Sequence, residues 1–440
     1  MGARKSLFVT LAMLVLAAGT ACAEKMTLSE SVTVALENNP AVHIAKENVR
    51  KADAIIEGAF SAARPKLTLE GTYQRLDKAP TATFGGTTTT LGSVDNRSAD
   101  LTLAQPIDVF GVIKTGKQAA ETGKSSYQYA LDRQTNDTTL DVKAAFFGVL
   151  RTQKYLKVQE DTIAQLDAHL KDAQTNYAAG TIPKFDVLRA ETQLANTRQL
   201  LISAQNEVEL AKAMFNNVLG RPLDTPVDLE EPAMPGFIEV ELAKCVETAR
   251  GSRPEVMQAD SLVALNGKLA KIAELSGKPK FNFRWANNWN FDTSVFNSRS
   301  SSWSAFLTSS MSIFDGGATK AAVKQAKSEV NNAKSVREQV MDGVTLDAQQ
   351  SYLSLKESRE RIQAAEKGLE QARESFRLAQ VRYNGGVSTQ LEVLDAQAAL
   401  TLAETNYVNA IYDYQTALAA LEHAVGGEVS FTKLTAASGQ

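Results

Sequence analysis

The 440-residue chain carries 47 basic and 50 acidic side chains, a net charge of −3, and a pI near 5.9. That balance offers no basic surface for nucleic acid. The two cysteines, Cys22 and Cys245, are too few for a thiolate metal cluster, and the three histidines lie apart without the spacing of a metal or catalytic pair.

The chain opens as an export signal, residues 1–23: Arg4 and Lys5, a short apolar run from Leu7 to Gly19, then Ala21-Cys22-Ala23 as a small-x-small cleavage site. The alternative, lipid attachment at Cys22, meets Gly19 where a bulky aliphatic residue is usual. Cleavage leaves Cys245 alone, without a disulfide partner. No later segment holds 18 consecutive apolar residues, so the exported chain is either soluble or enters a membrane as strands.

Thr27-Leu28-Ser29-Glu30 reads as a capping box that opens a helix to about Asn38. Pro40 opens a second helix, which Pro65 ends. From Lys66 the period becomes two: Leu67, Leu69 and Tyr73 on one face, Lys66, Thr68, Glu70, Thr72 and Gln74 on the other. Strands are expected at about 66–76 and 98–107. The intervening Thr-, Gly- and Ala-rich stretch from Lys78 to Arg97 reads as a mobile, solvated loop.

A helical hairpin follows over about 112–218, turning at Gly180 and Pro183. Val149, Leu156, Ile163, Leu170 and Tyr177 recur every seven residues before the turn, and Val187, Leu194, Leu201, Val208 and Phe215 after it. Ala190, Thr197, Ala204, Ala211 and Val218 supply the second position of the heptad, so the hairpin is an antiparallel coiled coil with closely approaching backbones. Each hairpin is expected to be committed to its own seam.

The whole pattern then recurs. Pro40 and Pro65 match Pro254 and Pro279 at an offset of 214; Gly180 and Gly220 match Gly386 and Gly426 at an offset of 206. The domains are therefore a first repeat, 24–232, and a second, 233–440, with Glu230 to Gly236 as linker. Thr435 to Gln440 is expected to be disordered. The second hairpin, about 318–424, has Val393, Leu400, Tyr407, Tyr414 and Leu421 in one seam position and Ala396, Ala403, Ala410, Ala417 and Ala424 in the other, with Gln415 outside.

Strands of the second repeat are expected at about 280–291 and 301–313. Phe281, Phe283, Trp285, Trp289 and Phe291 alternate with Asn282, Arg284, Asn288 and Asn290; Trp303, Ala305, Leu307, Met311 and Ile313 alternate with Ser302, Thr308, Ser310 and Ser312. Each segment is about the ~10 residues that a tilted strand needs to cross a bilayer. Four strands cannot close a barrel, so several chains must share one. A first long helix of about 65 residues extends ~100 Å at ~1.5 Å per residue, well beyond the membrane. The fold class is mainly α with a membrane β-barrel portion. The rival reading is a soluble periplasmic coiled-coil scaffold without a pore, which has no use for alternating aromatic strands.

Two stretches carry a family resemblance: Tyr177-x-x-Gly180 followed by Asp186-Val187-Leu188, and Tyr383-x-x-Gly386 followed by Glu392-Val393-Leu394-Asp395, with Ile313-Phe314-Asp315-Gly316-Gly317 leaving the last strand. With the duplicated order, the chain resembles the TolC-like outer-membrane efflux proteins over residues 24–440. The resemblance implies a homotrimer: a twelve-stranded barrel in outer-membrane lipid, continued by a long periplasmic tunnel of helices. It implies a passive duct for small molecules or secreted proteins, with a periplasmic adaptor and an inner-membrane pump as partners, in a Gram-negative bacterium. Neither catalysis nor a cofactor is implied.

By that resemblance Asp186, Glu392 and Asp395 form the periplasmic gate, and Gly180, Thr181, Ile182, Pro183, Gly386, Val387, Ser388 and Thr389 are the tips that meet the adaptor. Tyr73, Phe281, Phe283, Trp285, Trp289, Phe291 and Trp303 form the lipid-facing girdle. Ser388 stands where the family often holds a gating Arg, and Phe185 where a hydroxyl often precedes the acid, so Lys184 or Arg189 is the candidate replacement. A near phosphate-binding loop, Gly111 to Gln118, ends in Gln118 where Ser or Thr must hold magnesium, and its glycines read better as a strand-to-helix kink. His169 reads as a flank of the seam. The substrate is not legible.

Overall fold

A computed structural model describes residues 25–234, 236–292 and 300–427. The signal segment 1–23 and the C-terminal 435–440 lie outside them.

Thr27 caps α1 (Leu28–Asn38) as expected. Its Oγ1 accepts from the Glu30 N–H at 3.2 Å, and Glu30 Oε2 accepts from the Thr27 N–H at 2.8 Å. These hydrogen bonds to Thr27 hold the Glu30 carboxyl below its usual range. α2 (Pro40–Ser61) leads to β1 (Lys66–Arg75). The stretch expected to be an irregular loop instead contains a hairpin, β2 (Thr81–Phe84) and β3 (Thr87–Thr90). Gly85 and Gly86 turn it at φ 57° and 86°. Two successive left-handed residues are what a two-residue primed turn demands, and only Gly supplies both without strain. β4 (Asp95–Ile107), α3 (Val112–Ala178) and α4 (Lys184–Leu219) complete the first half. The second half follows the same order: α5 (Leu242–Ser252), α6 (Pro254–Leu275), β5 (Lys280–Asn290), β6 (Ser301–Ser310), α7 (Ala318–Asn384) and α8 (Gln390–Ala424). β6 stops short of the expected 313, leaving Met311, Ile313 and Phe314 exposed beyond it.

The chain folds as two compact units, and both halves of the sequence contribute to each. One holds α1, the second half of α3, α4, the second half of α7 and most of α8. Its core gathers Ala35, Val142, Phe146, Val149, Leu150, Phe215, Leu219 and Tyr412. Phe146 meets Phe215 edge-on at 6.1 Å. Gly220 closes α4 at φ 70°, where a Cβ would stand 2.5 Å from the Asn38 carbonyl oxygen, so no other residue fits. In the second hairpin Leu369, Phe376, Val393 and Leu400 pack with Ala396 and Ala403 along the expected seam.

The hairpins are not confined to their own seams. Leu394 of α8 packs with Leu166 of α3 and Leu194 of α4. Thr162 and Thr401 share a hydrogen bond of 3.0 Å between α3 and α8. Gln415, expected outside the seam, is 6% exposed, and its Oε1 has no hydrogen-bond partner among the described residues. A helix that packs on two neighbours buries a wider stripe than one heptad seam.

The other unit holds the sheet and the helices adjoining it. Ala249, Val256, Val344 and Ala348 form a small core beside Arg253. The Arg253 side chain is 8% exposed; it donates to both Glu255 oxygens at 3.0 and 2.9 Å, to Asp347 at 2.7 Å, and to the His423 carbonyl at 3.1 Å. The sheet is antiparallel in the order β1-β4-β5-β6.

Candidate functional site

The two hairpin turns are built alike. Gly180 at φ 75° and Gly386 at φ 72° take the left-handed conformation. The Gly180 N–H donates to Tyr177 O at 2.9 Å and the Thr181 N–H to Asn176 O at 3.0 Å; the Gly386 N–H donates to Tyr383 O and the Val387 N–H to Arg382 O, both at 3.0 Å. This paired closure satisfies helix carbonyls that would otherwise lack donors. α4 and α8 start within six residues of each glycine. Asp186 and Glu392 therefore fall in first turns, and Asp395 follows one turn along α8.

The turns meet through a residue the sequence reading passed over. Gln390 Nε2 donates to the Asp186 carbonyl at 2.9 Å, joining the start of α8 to the start of α4. Gln390 is 3% exposed and its Oε1 is unpartnered among the described residues. Glu392 pairs with Arg382 at 3.7 Å across its own turn. Among the described residues, Lys184 and Arg189 form no ion pair with the three acids. Ser388 and Tyr383 each bury a hydroxyl without a partner there, and the Tyr383 ring lies 5.4 Å from His169. Burial lowers the His169 pKa, with Asp172 opposing. Phe185, Leu188, Val381 and Val387 are exposed around the turns, at 68, 49, 57 and 69%.

The sheet holds the second constellation. Its register brings Leu67, Leu103, Trp285 and Ala305 into one cross-strand row; Leu69, Leu101, Asn287 and Trp303 form the next. Phe281 and Phe283 lie on the same face, opposite Ile107 and Gln105. Directly opposed residues share a face, so the odd-numbered positions of all four strands make one broadly apolar surface. Among the described residues this face is largely uncovered: Leu67, Leu69, Tyr73, Trp303 and Leu307 are 65, 69, 62, 72 and 68% exposed, while the Phe281 ring meets Phe110 at 6.5 Å. Tyr73 also donates to Asp95 at 2.8 Å, and Phe291 lies just beyond the end of β5. The even-numbered face is polar, with Asn288 donating to Asp100 at 2.7 Å.

Each sheet-to-helix junction carries an aspartate cap. Asp108 accepts from the Lys114 N–H at 2.8 Å; Asp315 accepts from the Gly317 and Thr319 N–H groups at 2.9 and 2.8 Å. No described helix is long and apolar enough to cross a membrane, and no group of His, Cys, Asp or Glu among the described residues could hold a metal.

The model of the family described as "Outer membrane efflux protein" matches residues 32–221 and again 245–427. The chain belongs to that family. It is 24% identical to outer membrane efflux protein BepC of Brucella suis over 94% of this chain and 89% of that one. It is 22% identical to Nodulation protein T of Rhizobium leguminosarum over 91% and 85%. The fold matches the solved outer membrane protein VceC of Vibrio cholerae with a TM-score of 0.78 at 17% identity, covering 91% of this chain and 96% of that one. The fold is thus TolC-like and mainly helical. The protein works at the outer membrane, as a channel-tunnel for export.

Proposed function

We propose that three copies of this chain close a twelve-stranded barrel in the outer membrane and continue it as a helical duct. The observation that carries this reading is the sheet: four strands of 10 to 13 residues, one exposed apolar face, and two long free edges at β1 and β6. In lipid a free edge leaves backbone groups unsatisfied, at several kcal/mol each, so β6 of one copy must pair with β1 of the next. The odd face meets lipid, with Tyr73, Phe281, Phe283, Trp285, Trp289, Phe291 and Trp303 as its aromatic band; the even face lines water.

The two sequence repeats, 24–232 and 233–440, each supply two strands and one hairpin to a copy, giving six repeats around the axis. The exposed apolar residues at the hairpin turns support docking of a periplasmic adaptor there, with an inner-membrane pump behind it. Asp186, Glu392 and Asp395 line the narrow end. The duct catalyses nothing; the pump supplies the energy.

Fractionation and conductance test the proposal together. The protein is expected in detergent-extracted outer membrane, and the purified material is expected to open ohmic conductance steps in a planar bilayer. Recovery in the soluble periplasmic extract would overturn it.

A further inference from the structure

We infer that the polar face of the sheet holds a binding site for amphiphilic organic anions, formed by the cations Arg284, Lys66 and Lys280 and the ring of Phe306. The inference rests on the reading that this face lines the water-filled lumen.

The register sets the site. Lys66 stands opposite Ala104, Ala104 opposite Arg284, and Arg284 opposite Phe306, so a single cross-strand row holds two cations and an aromatic ring. The next rows towards the helices add Pro106, Asn282 and Thr308, then Lys280 and Ser310. These three rows contain three cations; the carboxylate that follows in register, Asp108 just past the end of β4 beside Lys280, is already engaged by the Lys114 N–H. The carboxylates of this face, Glu70 and Asp100, oppose each other two rows further out, and Asp100 already accepts from Asn288. The next aspartates along the chain after β4 and β6, Asp108 and Asp315, are engaged as helix caps. Among the described residues, Arg284, Lys66 and Lys280 have no ion-pair partner.

Phe306 is the exception that gives the site its chemistry. Every other aromatic residue of the four strands is odd-numbered and lies on the apolar face, whereas Phe306 lies among serines and threonines and is 55% exposed. Directly opposed side chains lie within about 5.5 Å at Cβ, so the Phe306 ring and the Arg284 guanidinium reach one small molecule together. A guanidinium grips a carboxylate or sulfonate bidentately, and the ring takes the apolar body of the same molecule. A small anion such as acetate gains only the charge, and an uncharged aromatic only the ring. The favoured cargo joins both in one molecule. An anionic lipid headgroup has similar chemistry, but here the ligand is soluble and comes from the lumen.

Purified protein in a planar bilayer of phosphatidylcholine, which carries no net charge, tests this. The probe is 1-naphthalenesulfonate, with acetate and naphthalenemethanol as controls. In potassium chloride the wild type is expected to show reversible block by the probe and not by either control. In Phe306→Thr and in Arg284→Gln the half-blocking concentration is expected to rise about fivefold or more, the loss of one exposed ring or ionic contact. A half-blocking concentration unchanged from the wild type in either variant, or block of the wild type by acetate as strong as by the probe, overturns the inference. Failure of Phe306→Thr to reach the outer membrane, with Arg284→Gln assembling normally, places the ring against lipid and also overturns it. A wild type that conducts without block overturns this inference alone; a wild type that conducts nothing overturns the lumen reading with it.

Discussion

Gln390 reaches from the first turn of α8 to the main-chain carbonyl of Asp186, 2.9 Å away, and thereby fastens the two hairpin turns of one chain together. The contact is side chain to backbone, so any residue at 186 preserves it, while only a donor of the right length at 390 can make it. Gln390→Met keeps the volume and removes the donor. The expected result is a looser narrow end, through loss of a hydrogen bond worth about 0.5–1.5 kcal/mol. The readout is single-channel conductance, with more frequent open events than the wild type.

The acids at the turns give a second prediction. In the proposed trimer each would occur three times around one axis, and like charges crowded in a constriction raise a strong negative potential. The wild type is expected to select cations and to be blocked from the turn side by a trivalent cation. Glu392→Ala with Asp395→Ala is expected to lose both properties while the trimer persists. Asp186→Ala alone is expected to do less. Arg382→Gln frees Glu392 from its 3.7 Å pair and is expected to strengthen the cation preference, measured as reversal potential across a salt gradient.

The sheet register makes a third. Trp285 sits between Leu103 and Ala305 on the apolar face, and Ala286 sits between Thr102 and Ser304 on the polar one. An arginine facing lipid near mid-membrane costs about 2–4 kcal/mol. Trp285→Arg is therefore expected to lower the trimer yield from outer membrane sharply, and Ala286→Arg to leave it near the wild-type level. Equal yields would reverse the faces.

Much of this was legible because it repeats. Two Gly turns in heptad frames located both hairpins, and period-two alternation located four strands within about three residues at most ends. The β2–β3 hairpin escaped because each strand is only four residues long and Thr87–Thr90 contains no apolar residue to alternate. Its signal was Gly85-Gly86, a two-residue turn between threonine runs. Leu394 and Gln415 escaped for another reason. A heptad describes one seam per helix, and α8 packs against helices outside its own hairpin as well. Arg382 and Glu392 face each other across a turn, a pairing that no helical spacing reveals. Gln390 was overlooked because its partner is a backbone oxygen, which no side-chain pattern encodes.

The seam provides a fourth prediction. Ala410 is 2% exposed at a small-residue position of α8, and Ala410→Leu is expected to overpack it at about 1–3 kcal/mol. Gln415→Leu is expected to raise the melting temperature slightly, because Gln415 is buried with an unpartnered Oε1 and replacing such a group by an apolar one removes its desolvation penalty. Thermal melts of the detergent-solubilised protein distinguish the two by the direction of the shift.

The central claim is that four strands per chain become a closed barrel only when three chains share it. Native mass spectrometry of the protein released from detergent micelles tests that most directly, since it counts chains without reference to function. The account predicts a complex of three chains, which disperses to single chains when the free edge of β6, whose outward N–H groups belong to the odd-numbered residues, is blocked by Ala305→Pro and Leu307→Pro together. A wild-type protein that flies as a single chain under conditions that preserve other membrane oligomers would contradict it.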